Sequence, residues 1–170
     1  MTKAILKTAG DRAFLHFQGK IVPALTGRRG LSLDKAEGDL CTPVGELPLR
    51  RVLYRADRTS RPVCGAALPI EPIGPNDGWC DDPTHPDYNS AVTLPHPASC
   101  ETLWRDDHVY DLCIVMGWND DPAESGRGSA IFLHLPPASG STEGCIAVEE
   151  KELRALLQGG LSHITVEKPS

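Results

Sequence analysis

Helical periodicity occurs at one place in this chain. In "VEEKELRALLQGG" (148–160), Leu153, Leu156 and Leu157 share a face, acidic residues fill the first turn and Gly159-Gly160 supplies the stop. Such a segment is better explained as a core-facing helix than as an interaction motif. Elsewhere the apolar residues come in short runs. "AFLHF", the turn "QGK" and "IVPAL" read as two strands joined at Gly19, and "ELPLRRVLYR" as another. "HVYDLCIVMGWN" and "GSAIFLHL" read as central strands, because each carries a continuous β-branched and aliphatic run. "SHITVEKP" closes the series. The chain is therefore expected to be mostly β (α+β), a sandwich or barrel with one helix just after Cys145.

From about 62 to 105 the pattern breaks. "EPIGPNDGWCDDPTHPDYNSAVTLPHPASC" is dense in Pro, Gly, Asp and Asn and shows almost no periodicity. Stretches this long are functional or disordered, and Trp79, Tyr88 and the histidines favour an ordered insertion. With 170 residues the chain fits one domain, 1–170.

Composition excludes several classes. A net charge of -6 argues against nucleic acid as the main partner. No apolar run reaches the roughly 20 residues of a membrane helix. The N-terminus "MTKAILKTAGDR" lacks a signal h-region and cleavage site, which read literally places the protein in the cytoplasm. Six cysteines, at 41, 64, 80, 100, 113 and 145, include no C-x-x-C pair, so free thiols are expected unless the protein is exported, where one or two disulfides would form. A monomer without metal or other cofactor is expected.

"SGSTEGCIAV" (139–148) sets Cys145 after Gly144, and His134 ends a strand eleven positions upstream. Acyl transfer by cysteine requires a thiolate, a base or imidazolium beside it, and donors aimed at the oxyanion. Gly144 permits a tight turn, the amides of Glu143, Gly144 and Cys145 could converge on an oxyanion, and the nearby helix start would depress the thiol pKa. The bland reading stands beside this: a Gly-Cys flanked by Ile and Ala is often a buried structural thiol, and a histidine at a strand end is often a polar surface residue.

"GDLCTPVGELPLRRV" followed by "AIFLHL" and "STEGCIAV" resembles the catalytic domain of the YkuD-type L,D-transpeptidases, over roughly residues 10 to 167. The resemblance rests on a Thr-Pro-x-Gly segment ahead of a β-rich fold and a [Ser/Thr]-His-Gly-Cys signature. It implies Cys145 as nucleophile, His134 as general base oriented by a backbone carbonyl, and Thr142 and Gly144 in the signature loop. Glu143 stands where the signature has histidine and Ala147 where Arg or Asn is usual, a Gly-Cys-x-Ala pattern similar to the YafK branch. The implied activity is peptidoglycan cross-linking between stem peptides through a Cys145 thioester, with carbapenem acylation of the same sulfur. That role implies the periplasm or cell wall. The alternatives are an L,D-carboxypeptidase trimming muropeptides in the cytoplasm and a catalytically silent module that binds wall peptides.

Other residues enter as substrate contacts. Trp79 and Tyr88 are expected to pack on the peptide, Asp81 or Asp82 to meet its amine, and Arg127, Ser129 and Glu143 to lie near the cleft, Arg127 suiting a carboxylate. A solvated charge explains Arg127 equally well. "WCDDPTHPDY" gathers a Cys, three Asp and a His, but its irregular spacing and the lack of a second cluster favour a Pro-bent loop over a metal site. "GRGSAI" and "GPNDG" are not phosphate loops, since neither carries the lysine nor sits between a strand and a helix.

Overall fold

A computed structural model describes residues 1–169. Strands β1 (Lys3–Ala9), β2 (Arg12–Phe17) and β3 (Lys20–Ala24) form an antiparallel meander. β4 (Leu31–Ser32) and β5 (Thr42–Pro43) make a small parallel pair, and the ten-residue β6 (Gly45–Tyr54) follows. Within the insertion lie β7 (Ile70–Pro72), β8 (Asp77–Cys80), β9 (Ala91–Thr93) and β10 (Cys100–Thr102). The chain returns through β11 (Leu112–Met116), β12 (Phe132–His134), β13 (Ile146–Ala147), α1 (Glu150–Gln158) and β14 (His163–Val166).

The main sheet has nine strands in the order β13-β12-β11-β6-β14-β1-β2-β3, with β7 branching from β6. Its two ends nearly meet. Leu25, one residue beyond β3, exchanges both backbone bonds with Ala147 of β13: Leu25 N–H donates at 2.8 Å and Ala147 N–H donates back at 3.0 Å. Further along the same seam, Arg28 N–H donates to Thr142 O at 2.9 Å and Thr142 N–H to Thr26 O at 3.1 Å. The sheet is thus a nearly closed barrel, which satisfies the backbone groups that an open edge would expose.

β11 shows why a continuous apolar run was needed. Leu112, Ile114 and Met116 point into the barrel core, while Cys113 and Val115 point to a second core outside it. Both faces are dry, so no polar alternation survives. Leu6, Leu15, Leu47, Leu133 and Ile146 fill the interior, and α1 covers one end with Leu153, Leu156 and Leu157, all at most 3% exposed. Burying each of these leucines contributes roughly 1.5–3 kcal/mol.

The second core lies under the insertion. Trp79 meets the Phe132 ring edge-on at 5.2 Å between centroids, and Tyr110 meets it at 5.7 Å. Buried Asn89 links the layers: its Oδ1 accepts from Trp79 Nε1 and Ala130 N–H, and its Nδ2 donates to Trp118 O and Asn119 O. Strands β8, β9 and β10 form their own three-stranded sheet, order β10-β8-β9. The insertion is therefore an ordered cover over the outer face of β11 and β12. β1 was absent from the sequence reading; it lies between β14 and β2, paired parallel with the former.

The seam tolerates no extra atom at position 27. A Cβ on Gly27 would fall 2.3 Å from the Leu40 carbonyl oxygen, backbone that has no room to yield. Gly27→Ala is expected to cost at least about 2 kcal/mol, seen as a fall in Tm of roughly 4–8 °C. The cysteine loop should loosen with it, read as faster backbone amide exchange at residues 142–147.

Candidate active site

Cys145 immediately precedes β13, which runs parallel to β12 with Leu133 opposite Ile146 and His134 opposite Ala147. Continuing that register sets Cys145 opposite Phe132. Side chains two apart on a strand share a face, so Phe132 and His134, together with Cys145 and Ala147, look outward beneath the insertion. Both Cys145 and His134 line one cavity of about 330 Å³. The fold therefore brings together the two residues singled out from sequence, on neighbouring strands of one face.

The loop that carries Cys145 is tied from both sides. Thr142 Oγ1 donates to the Cys145 carbonyl at 2.6 Å and accepts from Gly144 N–H at 3.2 Å. Thr42 Oγ1, fully buried, donates to the same carbonyl at 3.3 Å and accepts from Gly27 N–H at 2.9 Å. Thr42 is the threonine of the Thr-Pro-x-Gly segment, and its contact with Cys145 spans 103 residues of sequence. Gly144 has φ of +141° and a Cβ there would lie 2.9 Å from Cys41 O, so both conformation and space require glycine.

Three amides were expected to face an oxyanion. Gly144 N–H is instead committed to Thr142, whereas the N–H groups of Glu143 and Cys145 donate to no other group among the described residues.

His134 is buried, with Nδ1 2.7 Å from its own neighbour's carbonyl, Leu135 O. A carbonyl only accepts, so Nδ1 carries the proton and Nε2 is left with a free lone pair. The ring packs edge-on against Tyr110 at 5.3 Å. Burial lowers its pKa to about 4, only partly offset by the Leu135 bond. The sulfur of Cys145 accepts from Phe132 N–H at 3.3 Å and donates to Ala130 O at 3.2 Å. Burial, followed by the charge of Glu101, raises its pKa to about 12. The resting pair is neutral thiol and neutral imidazole, which corrects the expectation of a stabilised thiolate. α1 begins only at Glu150, and a helix-end field fades within a turn.

Glu101 was not foreseen. It lines the cavity, accepts a short hydrogen bond from Tyr110 Oη, and is raised by burial to a pKa of about 7. Nothing in "SCETLW" marks it; its role comes from the apolar strand neighbours that desolvate it. Around the cavity Arg28, Lys35 and Arg105 face Asp81, Glu101 and Glu143, so the lining carries both signs of charge. Lys35, itself buried, pairs with Asp39.

The other expected substrate contacts divide. Asp81, Ser129 and Glu143 line the cavity, with Ser129 Oγ donating to Glu37 at 2.9 Å and Glu143 paired to Arg28 at 3.6 Å. Trp79 and Tyr88 are only 6% exposed: Trp79 belongs to the second core, and Tyr88 is held by its hydroxyl, which donates to Glu37 at 2.5 Å and accepts from Gly128 N–H. Asp82 turns away to Thr84, whose N–H and hydroxyl hold its carboxyl below the usual range. Arg127 lies near Trp118 and Asn119, half exposed and 3.8 Å from Glu124. One group of potential metal donors lies behind the cavity wall, Cys80 with His96 and Cys100.

A near-closed β barrel thus presents a cysteine and a histidine in one polar cleft beside its seam. The family model described as the L,D-transpeptidase catalytic domain, YkuD, matches residues 9–158, and the chain belongs to that family. No curated protein and no solved structure matches it.

Glu101 gives the site a pH signature. Above about pH 7 its carboxylate is ionised and disfavours a second negative charge on the nearby sulfur; below that it is neutral. Glu101→Gln keeps an acceptor for Tyr110 but removes the charge. Alkylation of Cys145 by iodoacetamide is expected to match the parent protein below pH 6 and to run roughly three- to tenfold faster above pH 8. Equal rates at both ends would show that the carboxylate does not act on the sulfur.

Proposed function

We propose that the protein is a peptidoglycan L,D-transpeptidase that joins stem peptides through a thioester on Cys145. The observation that carries the proposal is the placement of Cys145 and His134 on one sheet face, opening on one cavity lined with both signs of charge. A stem peptide presents carboxylates and amines together, so Arg28 and Arg105 suit its acids while Asp81 and Glu101 suit its amines.

In the first half-reaction, rotation about the Cys145 Cα–Cβ bond turns the S–H from Ala130 O toward His134 Nε2. The imidazole takes the proton as sulfur attacks the carbonyl carbon of an L-centre. Because burial disfavours both charged forms, proton transfer and C–S bond formation proceed together rather than through a standing ion pair. The oxyanion is received by the free N–H groups of Cys145 and Glu143. Collapse breaks the C–N bond, and the leaving D-residue takes the proton from His134 as its amine departs. The thioester remains. An amine from a second stem then attacks, gives its proton to Nε2, and forms the new amide as the C–S bond breaks and the thiol is restored. Thr142 and Thr42 hold the Cys145 backbone in place throughout.

Acting on assembled wall places the reaction outside the inner membrane, checked by locating a tagged protein.

The test uses a disaccharide tetrapeptide. Cross-linked dimers with release of the terminal D-amino acid are expected. Tripeptide without dimer would make the protein a carboxypeptidase, and binding without turnover would make it a recognition module. Cys145→Ala should abolish both product and the carbapenem adduct found by intact mass. His134→Gln should lower turnover by roughly 10²–10⁴-fold.

A further inference from the structure

β8 and β10 are antiparallel, with Cys80 directly opposite Cys100. The Cys80 N–H and C=O both bond toward the β9 side, to Ser90 and Asn89. Toward β10 the two cysteines are thus a non-hydrogen-bonded pair, the arrangement in which cross-strand side chains lie closest. From the loop between β9 and β10, His96 reaches the same point. The two sulfurs and a His96 ring nitrogen lie within 4.8 Å of one another. Cys80 is fully buried and the His96 side chain is only 10% exposed.

The surroundings of His96 are those of a metal ligand. Its Nε2 is 3.0 Å from Asp87 Oδ2. A carboxylate on one ring nitrogen fixes the tautomer and makes the other nitrogen a better donor to a cation. That other nitrogen, Nδ1, now accepts from Ala98 N–H at 3.2 Å, a contact a metal would displace. His85 packs edge-on against His96 at 4.8 Å and forms a second donor group with Asp87 and His96. The segment "WCDDPTHPDY" alone lacks a second cluster; the fold supplies it from "PHPASC".

We propose that Cys80, His96 and Cys100 bind a single thiophilic d¹⁰ cation, zinc above all, with water in the fourth position. Tetrahedral zinc with bonds of about 2.0–2.3 Å sets its donors roughly 3.3–3.8 Å apart, so small side-chain rotations close the trio on the ion. On binding, both thiols release their protons to solvent and the two thiolates balance the charge of the dication.

The ion would clamp the strands that build the cleft wall. Asp81 follows Cys80 and Glu101 follows Cys100, and both line the Cys145 cavity. The competing outcome for this pair is a cross-strand disulfide, which would use neither His96 nor Asp87.

The proposal is independent of the acyl-transfer reading and is tested without turnover. Reduced full-length protein is loaded with zinc sulfate, freed of loosely held ion by gel filtration, and assayed by mass spectrometry of the metal. About one zinc per chain is expected. Cobalt sulfate should give thiolate-to-cobalt charge transfer in the near ultraviolet and intense tetrahedral visible bands. Cys100→Ser and His96→Gln should each lose the zinc, Asp87→Asn should weaken it roughly 10–100-fold, and Cys41→Ser and Cys145→Ala should retain it. His96→Gln, at the rim, keeps the test open should Cys100→Ser fail to fold, which circular dichroism would reveal. No zinc on the reduced protein, zinc unchanged in His96→Gln, or a Cys80–Cys100 disulfide forming in air with zinc present would overturn the proposal.

Discussion

The pairing of Leu25 with Ala147 holds this molecule in its working form. Two backbone hydrogen bonds there, and two more at Thr142, join the first sheet edge to the last. On the Cys145 side of the seam the strands are among the shortest in the barrel: the edge strand β13 has two residues and its neighbour β12 three. Pieces so short have little stability of their own. They are positioned by what they close against, and Cys145 sits at their start. The position of Cys145 and the closure of the barrel therefore depend on the same few bonds. Thr42 adds a side-chain tie across the seam, fixing the Cys145 carbonyl from the strand pair β4–β5 while Thr142 fixes it from within the loop.

Placing a thiol on the outer face of a barrel would ordinarily leave it wet. Here the insertion covers that face with its own core, from Trp79 and Tyr110 to Phe132. Desolvation follows, and it acts on both partners in the same sense: the thiol keeps its proton and the imidazole refuses one. A neutral pair keeps the thiolate fraction of the sulfur low while leaving Nε2 a free acceptor. The carboxyl of Glu101 lines the same cavity and, being raised toward neutrality, does not oppose the sulfur as strongly as an ordinary glutamate would.

Local signals carried most of the barrel. The spacing of Leu153, Leu156 and Leu157 marks α1, and the apolar run 112–116 marks a strand buried on both faces. β1 was missed because its alternation, "KAILKTA", spreads its apolar residues among lysines and a threonine, and only its place between two partners buries Ala4 and Leu6. The insertion was legible as ordered but not in its parts. Its strands have three or four residues and are held by the Asn89 hub rather than by a pattern of their own. Its aromatics misled for a physical reason. A Trp or Tyr in a polar loop suits a ligand face or a satellite core equally well, and here Asn89 and Glu37 satisfy the polar atoms of Trp79 and Tyr88 inside the protein. Cys145 and His134 were legible as residue types; the neutrality of the pair was not, because it arises from distant segments that remove water.

The alternation of side chains along β8 and β10 sets the logic of the cover. On each strand one residue faces the barrel and the next faces away. Trp79 and Glu101, directly opposed, face β12, one filling the core and the other entering the cleft. Cys80 and Cys100, also opposed, face the other way toward His96. Two short strands thus hold a packed side, an acidic side chain next to the reacting sulfur and a cluster of soft donors, all within three residues of one another. A link between the two cysteines would hold the spacing of the same strands fixed. Whatever joins Cys80 to Cys100 therefore also holds their neighbours Asp81 and Glu101, which line the Cys145 cavity.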